Sequence, residues 1–388
     1  MFDRQKFYEL VFRHKSERYS KGFNSWDHFV AMLFCQLAQA KSLREICGGL
    51  ACCMGKLRHL GMKNAPNKST LSYANANRSW QMYRDLFYET LNFCKMAAPG
   101  KHKFRFKNKL LTLDSTTISL CLSLFPWAKF RRTKGAVKLH LLLDHDGYLP
   151  TYAYISNGKK QDVTIAHKVS LAPGSIVVLD RGYNDYKLFA HWTENQIYFV
   201  TRLKDNADYT VIAEQEVPQN RNILADPFIL FAGHNAQKNC PHVLRRVVLW
   251  DKENEKEIVF LTNHLDFGAT TISAIYKDRW QIELFFKALK QNLKVKTFVG
   301  TSENALYIQI WTALIAMLLI KCLKFKSKFG WSLSNLVAFL RWNLFTYRNL
   351  WEWIDSPFDT LPIEPKSVQY PIPFRGFGQH LSIKTTLN

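Results

Sequence analysis

Two aspartates stand directly after apolar runs that have the length of buried β-strands. Asp114 follows residues 110–113, and Asp180 follows residues 176–179. Burying a lone carboxylate at the end of a strand is costly, and a bound metal ion removes that cost. Hard oxygen ligands favour Mg²⁺ or Mn²⁺ over zinc. Either residue taken alone is also compatible with a structural aspartate, for instance one that pairs with Arg181, so a third group has to decide.

The third group lies in residues 276–290. If this segment is helical, residues at offsets 0, 3, 7 and 14 fall within a stripe of about 60°, and these residues are Tyr276, Arg279, Glu283 and Lys290. Lys287 and Lys294 lie at one edge of the stripe, and apolar residues form the adjoining stripe that would seat the helix on a sheet. A solvated ion-pair helix does not explain a single glutamate among so many cations. A site that holds both a metal ion and a phosphate does.

This pattern resembles the signature of the insertion-sequence-four family of bacterial DDE transposases, Y-x2-R-x3-E-x6-K, without gaps. Asp114-Ser-Thr-Thr and Asp180-Arg-Gly-Tyr183 look like the first and second acidic motifs of that family. The separations of 66 residues from Asp114 to Asp180 and 103 residues from Asp180 to Glu283 suit a ribonuclease H-like fold with a β-rich insertion. The resemblance extends over about residues 105–325.

The resemblance implies a site and an activity. Two Mg²⁺ ions, for which Mn²⁺ would substitute, are expected on Asp114, Asp180 and Glu283, with Asp114 bridging both. The residues expected to grip DNA phosphates are Tyr276, Arg279, Lys290, Lys287 and Lys294. Trp250 is the candidate platform for a flipped base, although a tryptophan in the core is the commoner case. The expected enzyme binds terminal inverted repeats as a homodimer, cleaves the element ends and joins their 3′-OH groups to target DNA.

The order of elements predicts an α/β fold with a ribonuclease H-like mixed sheet flanked by helices. The predicted segments are a helical N-terminal DNA-binding domain (1–98), the first part of the catalytic core (99–204), a β-rich insertion subdomain (205–267), the second part of the core with the glutamate helix (268–330), and a C-terminal helix with a proline-containing tail (331–388). Within the N-terminal helices, Arg44, Lys68, Asn75 and Arg78 are candidates for a helix-turn-helix-like DNA reader, although a plain helical subdomain would explain the same residues.

The charge of the chain favours a polyanionic partner. It carries 53 Lys and Arg against 31 Asp and Glu, a net charge of +22. Residues 1–110 hold 20 of these cations and 7 of the anions. Such a field attracts double-stranded DNA, although a solubilising surface would have the same composition. The sequence predicts no membrane segment and no signal peptide, and therefore a cytoplasmic, nucleoid-associated protein.

Two other functions remain open. A nuclease of the same fold that cuts without joining would share the three acids, but it gives no reason for the Tyr/Arg/Lys stripe. A non-catalytic DNA-binding protein descended from a transposase would not need Asp114, Asp180 and Glu283, and all three are present.

Overall fold

The chain folds around one mixed β-sheet, as seen in a computed structural model that describes residues 3–363 except 19, 54, 101, 102 and 220. The end of the predicted tail, residues 364–388, lies outside the described residues. The helices are α1 (Arg4–Arg13), α2 (Ser25–Ala38), α3 (Leu43–Ala51), α4 (Lys68–Asn77), α5 (Trp80–Ala97), α6 (Asp162–Ala166), α7 (Tyr186–Glu194), α8 (His234–Asn239), α9 (Ala269–Asp278), α10 (Trp280–Asn292), α11 (Glu303–Lys326), α12 (Leu333–Trp342) and α13 (Leu350–Asp355).

The strands confirm the predicted mixed α/β fold. They are β1 (Leu110–Leu120), β2 (Lys129–Arg131), β3 (Lys134–Asp144), β4 (Leu149–Asn157), β5 (Ile176–Leu179), β6 (Tyr198–Arg202), β7 (Tyr209–Glu214), β8 (Ile223–Ala225), β9 (Pro227–Phe231), β10 (Leu244–Asp251) and β11 (Lys256–Thr262). β3 pairs antiparallel with β1 and with β4, whereas β1, β5 and β6 run parallel. The apolar run of β5 is fully buried, as expected for a strand covered on both faces.

The turn between β3 and β4 depends on a glycine with a positive φ angle. Gly147 has a φ of +81°, a conformation that residues with a Cβ rarely adopt. A Cβ at this position would also lie 3.2 Å from the ring of Phe325 and 3.3 Å from Ala98. The hairpin therefore returns β4 to the sheet while packing closely on α11 and on the end of the N-terminal helices.

The strands of residues 205–267 continue the central sheet instead of forming a separate layer. β11 pairs antiparallel with β6, and the order then continues through β10 and β9 to β7. One sheet of 11 strands results among the described residues. Backbone pairing makes this segment part of the same body as the predicted catalytic core.

The N-terminal helices likewise share a core with the rest of the chain. The predicted boundary near residue 98 coincides with the change from helices to strands, but α11 packs against α2, α4 and α5. Buried residues of α1–α5 and of α10–α13 belong to a single apolar cluster. α11 is the one helix in the described part of the chain long and apolar enough to cross a membrane, and most of it is buried inside the protein, as in a core helix.

Two of the predicted DNA-reading residues in this region have structural roles instead. Asn75 is buried, and its Oδ1 is 2.8 Å from Nε2 of His28. The Arg78 guanidinium donates to the backbone carbonyls of Asn24, at 2.7 Å, and of Phe23. Asn75 is out of reach of DNA because it is buried, and the Arg78 guanidinium is already bonded within the protein. The segment between α3 and α4 runs from residue 52 to residue 67, which is far longer than the turn of a helix-turn-helix motif.

Candidate active site

The parallel register of β1 and β5 brings the first two acids together. Leu113 is paired with Leu179, so Asp114 and Asp180 are the next residues on adjacent strands. Neighbouring strands lie about 4.8 Å apart. β1 is buried from Leu110 to Leu113 and partly exposed at Asp114, but it continues to Leu120 paired with β3, so Asp114 lies within its strand and not at the end as predicted. β5 does end at Leu179, directly before Asp180, so the two acids are neighbours at the edge of the sheet where β5 ends.

Arg279 brings the third acid to this edge. Its Nη2 donates to Oε1 of Glu283 at 2.6 Å, and its Nη1 lies 3.5 Å from Oδ2 of Asp114. The Arg279 side chain is only 14% exposed, compared with 19% for Asp114 and 34% for Glu283. One buried guanidinium thus connects the strand that carries the first acid to the helix that carries the last.

Asp114 lies in a field of like charges. Burial raises its pKa to about 6, and the charges of Asp180 and Glu283 act in the same direction. The backbone N–H of Ser115, at 2.7 Å, and the Arg279 guanidinium oppose this increase. Asp180 does not pair with Arg181, which instead lies 3.7 Å from Asp205. Three carboxylates at one sheet edge form a site that a cation would stabilise.

The oxygens of these three carboxylates are suitable ligands for a hard divalent cation, although the side chains are not arranged as a metal site in the structure. Within the described ranges, no group of three His, Cys, Asp or Glu side chains has the spacing of a formed metal site. Arg279 instead supplies positive charge between Asp114 and Glu283. The guanidinium stands in for the charge of a metal ion in this arrangement.

The predicted stripe on the glutamate helix spans two helices. α9 ends at Asp278 and α10 begins at Trp280, with Arg279 at the junction in a right-handed helical conformation. Tyr276 therefore lies on α9, whereas Glu283 and Lys290 lie on α10. Arg279 and Lys290 contact β1, whereas Tyr276 packs against Phe260 of β11, so the predicted stripe is divided between two strands.

Lys290 continues the contact between α10 and β1. Its Nζ is 2.5 Å from Oγ1 of Thr116 and 3.2 Å from the carbonyl of Thr117. Lys287 is exposed on the same helix, whereas Lys294 lies beyond the end of α10 and reaches Thr297 at 3.5 Å. The structure thus brings Arg279 and Lys290 to β1 and leaves Lys287 and Lys294 further from the acids.

Tyr276 and Trp250 border a cavity of about 600 Å³ beside Arg279. The Tyr276 ring lies 5.0 Å from that of Phe260, and the Arg279 guanidinium carbon is 5.5 Å from its centroid. Trp250 is on β10 and is 37% exposed, so it is not the core tryptophan that is commoner in proteins. Trp280, 55% exposed, lines the same cavity. The walls of this cavity therefore contain two exposed indole rings, those of Trp250 and Trp280.

Sequence reasoning missed Arg202, at the end of β6. β6 runs parallel to β5, and their pairing ends with Val178 beside Val200, so Asp180 and Arg202 each follow the last pair by two residues on neighbouring strands. The Arg202 Nε is buried without a hydrogen-bond partner among the described residues, and its charge lowers the pKa of Tyr276, which burial raises. The signal was available: like the two aspartates, Arg202 is a charged residue at the end of an apolar strand.

Sequence reasoning also missed a buried polar connection behind the acids. Asp278 accepts hydrogen bonds from Nζ of Lys103 at 2.5 Å, Nδ1 of His145 at 2.6 Å and the Tyr148 hydroxyl at 3.3 Å. The other ring nitrogen of His145 lies 2.7 Å from Oγ1 of Thr112, two residues before Asp114 on β1. Burial would raise the pKa of Asp278, but the bonds from His145 and Lys103 lower it below 3.8. This connection fixes the end of α9 to β1.

Two family models match parts of this chain. The Transposase DDE domain family matches residues 105–319, and a domain of unknown function (DUF4372) matches residues 1–63. A solved piggyBac transposase synaptic complex with hairpin DNA has a TM-score of 0.48 and 11% identity, covering 95% of this chain and 84% of its own.

Three relatives named as transposases are 26–30% identical to this chain over the aligned residues. The y4zB protein of Sinorhizobium fredii is 29% identical, over 71% of this chain and 77% of its own length. The protein of insertion sequence IS5377 from Geobacillus stearothermophilus is 30% identical, over 62% and 64%. The protein of insertion sequence IS4SA from Synechocystis is 26% identical, over 70% and 76%. Because the DDE domain match covers more than half of the chain and contains Asp114, Asp180 and Glu283, the chain belongs to the DDE-domain transposases.

Proposed function

We propose that this transposase binds the terminal inverted repeats of an insertion sequence, cleaves DNA at the element ends and joins the 3′-OH ends to target DNA. One observation carries the proposal. The β1–β5 register sets Asp114 beside Asp180, and Arg279 holds Glu283 at the same edge, so three acids from three distant segments converge. A nuclease would use the same three acids. The cations and the Tyr276 phenol of the adjoining helices add a surface for a DNA strand.

Asp114, Asp180 and Glu283 are the proposed ligands of two Mg²⁺ ions, with Mn²⁺ as a substitute. Asp114 lies in the middle of the acids and is the proposed bridging ligand. When bound, the ions activate water or a 3′-OH and stabilise the charge on the reacting phosphate. The raised pKa of Asp114 supports this assignment, because burial and the charges of Asp180 and Glu283 both disfavour its ionised form.

Arg279 is proposed to exchange partners when the site is loaded. Its guanidinium neutralises Asp114 and Glu283 in the structure. A divalent cation held by the acids would neutralise Asp114 and Glu283 in its place, and the guanidinium would then be available to a phosphate.

The DNA strand next to the cleaved bond is proposed to lie along β1 and α10. Tyr276, Arg279 and Lys290 contact its phosphates, Arg202 adds a cation beside Asp180, and Lys287 and Lys294 attract the strand from further away. The partly buried Arg279 and Lys290 are suited to fixed contacts, whereas exposed Lys287 contributes mainly to the field.

Trp250 is the proposed platform for a flipped base. Its exposed ring borders a cavity large enough for a nucleobase, next to Tyr276 and Arg279. Stacking of a base on an exposed indole contributes about 1–3 kcal/mol. Trp280, the residue directly after Arg279, provides a second indole ring in the same cavity.

The finer classification belongs to the same proposal. The Y-x2-R-x3-E-x6-K pattern supports membership of the insertion-sequence-four family. A homodimer is proposed as the form that holds two element ends together, and the cytoplasm, on the nucleoid, as its place of action. Residues 1–98 are proposed to bind the ends.

The test uses the full chain and labelled duplexes that carry the two ends of the element encoding it. Wild type is expected to nick at the end junction with Mg²⁺ or Mn²⁺, to stop with EDTA, and to join the released ends to a plasmid. The Asp114→Ala variant should bind the same duplexes without cutting. Cleavage without joining would replace the transposase with a nuclease, and binding without metal-dependent cleavage by wild type would contradict catalysis by these acids.

A further inference from the structure

A basic groove runs between α4 and the segment that joins α1 to α2. It encloses about 740 Å³. Its described lining residues include four cations and no carboxylate, and the cations are Lys15, Arg18, Lys21 and Arg78. We call this feature the α4 groove. Its charge is complementary to a polyanion, and it lies in the part of the chain with the largest excess of Lys and Arg.

One wall of the groove is a helix with an unusually polar outer face. The exposed residues of α4 are Lys68, Ser69, Ser72, Tyr73, Ala76 and Asn77. They recur at the three- and four-residue spacing of a single helix face. Tyr73 is 72% exposed, although a tyrosine usually buries much of its ring. The face is small and polar apart from this one ring, so a partner could approach the helix closely.

The other face of α4 is fixed by buried polar bonds. Asn75 bonds to His28, whose Nδ1 lies 2.9 Å from the buried hydroxyl of Tyr83. Nδ2 of Asn304, at the start of α11, donates to the carbonyls of Asn75 and Arg78 at 2.8 and 2.7 Å. Bonds of this kind orient a helix more strictly than apolar packing does, because each donor has few acceptors within reach. The exposed face is therefore presented in one orientation.

We propose that α4 is the helix that reads the ends of the DNA element. Its outer face enters the major groove with Ser69, Tyr73 and Asn77 toward the base edges, while one phosphate strand lies in the α4 groove against Lys15 and Lys21. The major groove is about 12 Å wide and admits one α-helix. Asparagine and serine side chains recognise base edges there, and lysines hold the backbone. This inference rests on the proposed function, since it names the surface through which that enzyme selects its ends.

The experiment measures binding of the full chain to end duplexes and to a scrambled duplex of the same composition, at several NaCl concentrations. Three kinds of variant separate reading from attraction. A Tyr73→Ala/Asn77→Ala double variant removes side chains from the outer face. A Lys15→Ala/Lys21→Ala double variant removes cations from the opposite wall. Tyr8→Ala on α1 and Lys238→Ala on α8 are matched controls, because both residues are exposed and neither lines the groove.

The outer-face variant is expected to lose about 10- to 100-fold in affinity for the end duplexes with little change for the scrambled duplex. The lysine variant should weaken binding to both duplexes and reduce the slope of log affinity against log salt by about 1–2. The controls should behave as wild type. Equal weakening of both duplexes by the outer-face variant would make α4 a phosphate surface and overturn its reading role.

Ser69→Glu guards against variants that fail because they misfold. An acid in the first turn of α4 stabilises the helix and lowers the charge of the groove. It should retain the thermal unfolding midpoint and still lose end binding. Unchanged end preference in Ser69→Glu and in the outer-face variant would overturn the inference while leaving the transposase proposal standing. If wild type itself showed no preference for the end duplexes, both proposals would be overturned.

Discussion

The catalytic edge and the α4 groove hold polar side chains in opposite ways. At the edge, charged groups from distant segments pair with one another: Arg279 with Asp114 and Glu283, and Asp278 with Lys103 and His145. On the outer face of α4, the exposed side chains of Ser72 and Tyr73 have no hydrogen-bond partner among the described residues, whereas Nδ2 of Asn77 donates to the carbonyl of Tyr73 at 2.9 Å. The charged groups at the catalytic edge are therefore bonded to one another, whereas the side chains of Ser72 and Tyr73 remain accessible to another molecule.

This difference follows from what each surface has to do. Phosphoryl transfer depends on groups held in place before the substrate arrives, so their orientation is fixed by neighbours of opposite charge. Recognition of a base sequence needs donors and acceptors that are accessible on a rigid support. In α4 the rigidity comes from the buried face, through Asn75 and His28, and in α9–α10 it comes from the charged face itself.

The largest expected effect is at the catalytic edge. Glu283→Gln removes an anionic ligand but leaves the shape of the side chain, so cleavage should decrease about 10²- to 10³-fold or more while end binding is retained. Cleavage of labelled end duplexes in Mg²⁺ measures this. Glu214→Gln, on an exposed position of β7, is the matched control. Cleavage by Glu283→Gln within a few-fold of wild type would remove Glu283 from the site.

A second change tests whether the buried connection belongs to the catalytic region alone. Asp278→Asn weakens the bonds to Lys103 and His145, and it should lower the free energy of unfolding by about 1.5–3 kcal/mol, as expected when hydrogen bonds to a charged group are weakened. Since the pKa of Asp278 is lowered from 3.8 in the folded chain, its contribution is complete above pH 4 and is lost as the pH falls through the folded pKa.

Urea unfolding at neutral and acidic pH measures this effect. The acid dependence of stability should become shallower in Asp278→Asn, and cleavage should decrease more than end binding. Asp251→Asn is the control, because Asp251 also has a lowered pKa, chiefly through the side chain of Asn254, but is exposed to solvent. An Asp278→Asn variant as stable as wild type at neutral pH would show that the connection is dispensable.

Arg202→Ala tests the cation that lies beside Asp180. Removal of one phosphate contact should reduce DNA affinity about tenfold and lower the salt slope by about 1, equally for end and scrambled duplexes. The even loss would contrast with the selective loss expected from the outer face of α4. Binding titrations at several salt concentrations measure it, with exposed Arg221→Ala as the control. A loss confined to the end duplexes would assign sequence reading to the catalytic edge.

The smallest expected effect concerns Trp250. Trp250→Ala removes the proposed stacking platform, so it should slow cleavage of intact ends by a few-fold and leave joining of pre-cut ends unchanged. Comparison of the two substrates in single-turnover assays measures this. Trp342→Ala is the control, because Trp342 is 74% exposed and lies outside the cavity. Equal slowing of intact and pre-cut ends would argue against a base platform.

Part of the fold and of the candidate site could be predicted from the sequence alone. The apolar runs before Asp114 and Asp180 predicted buried strands that end at the acids; β5 does end before Asp180, whereas β1 continues through Asp114 to Leu120. The spacing of Arg279, Glu283 and Lys290 predicted one helical face, because the period of an α-helix is fixed by its backbone. Both predictions depend on local geometry, which the sequence determines directly.

Contacts between distant segments were decided by the tertiary structure. The Arg279 bridge, the Asp278–His145–Thr112 connection and the position of Arg202 beside Asp180 join residues more than 20 positions apart. The same holds for Asn75 and Arg78, which are polar in sequence but have their partners inside the protein. Sequence periodicity fixes which face of an element a residue occupies, but the partner on that face depends on strand register and helix packing, and these are set by the whole core.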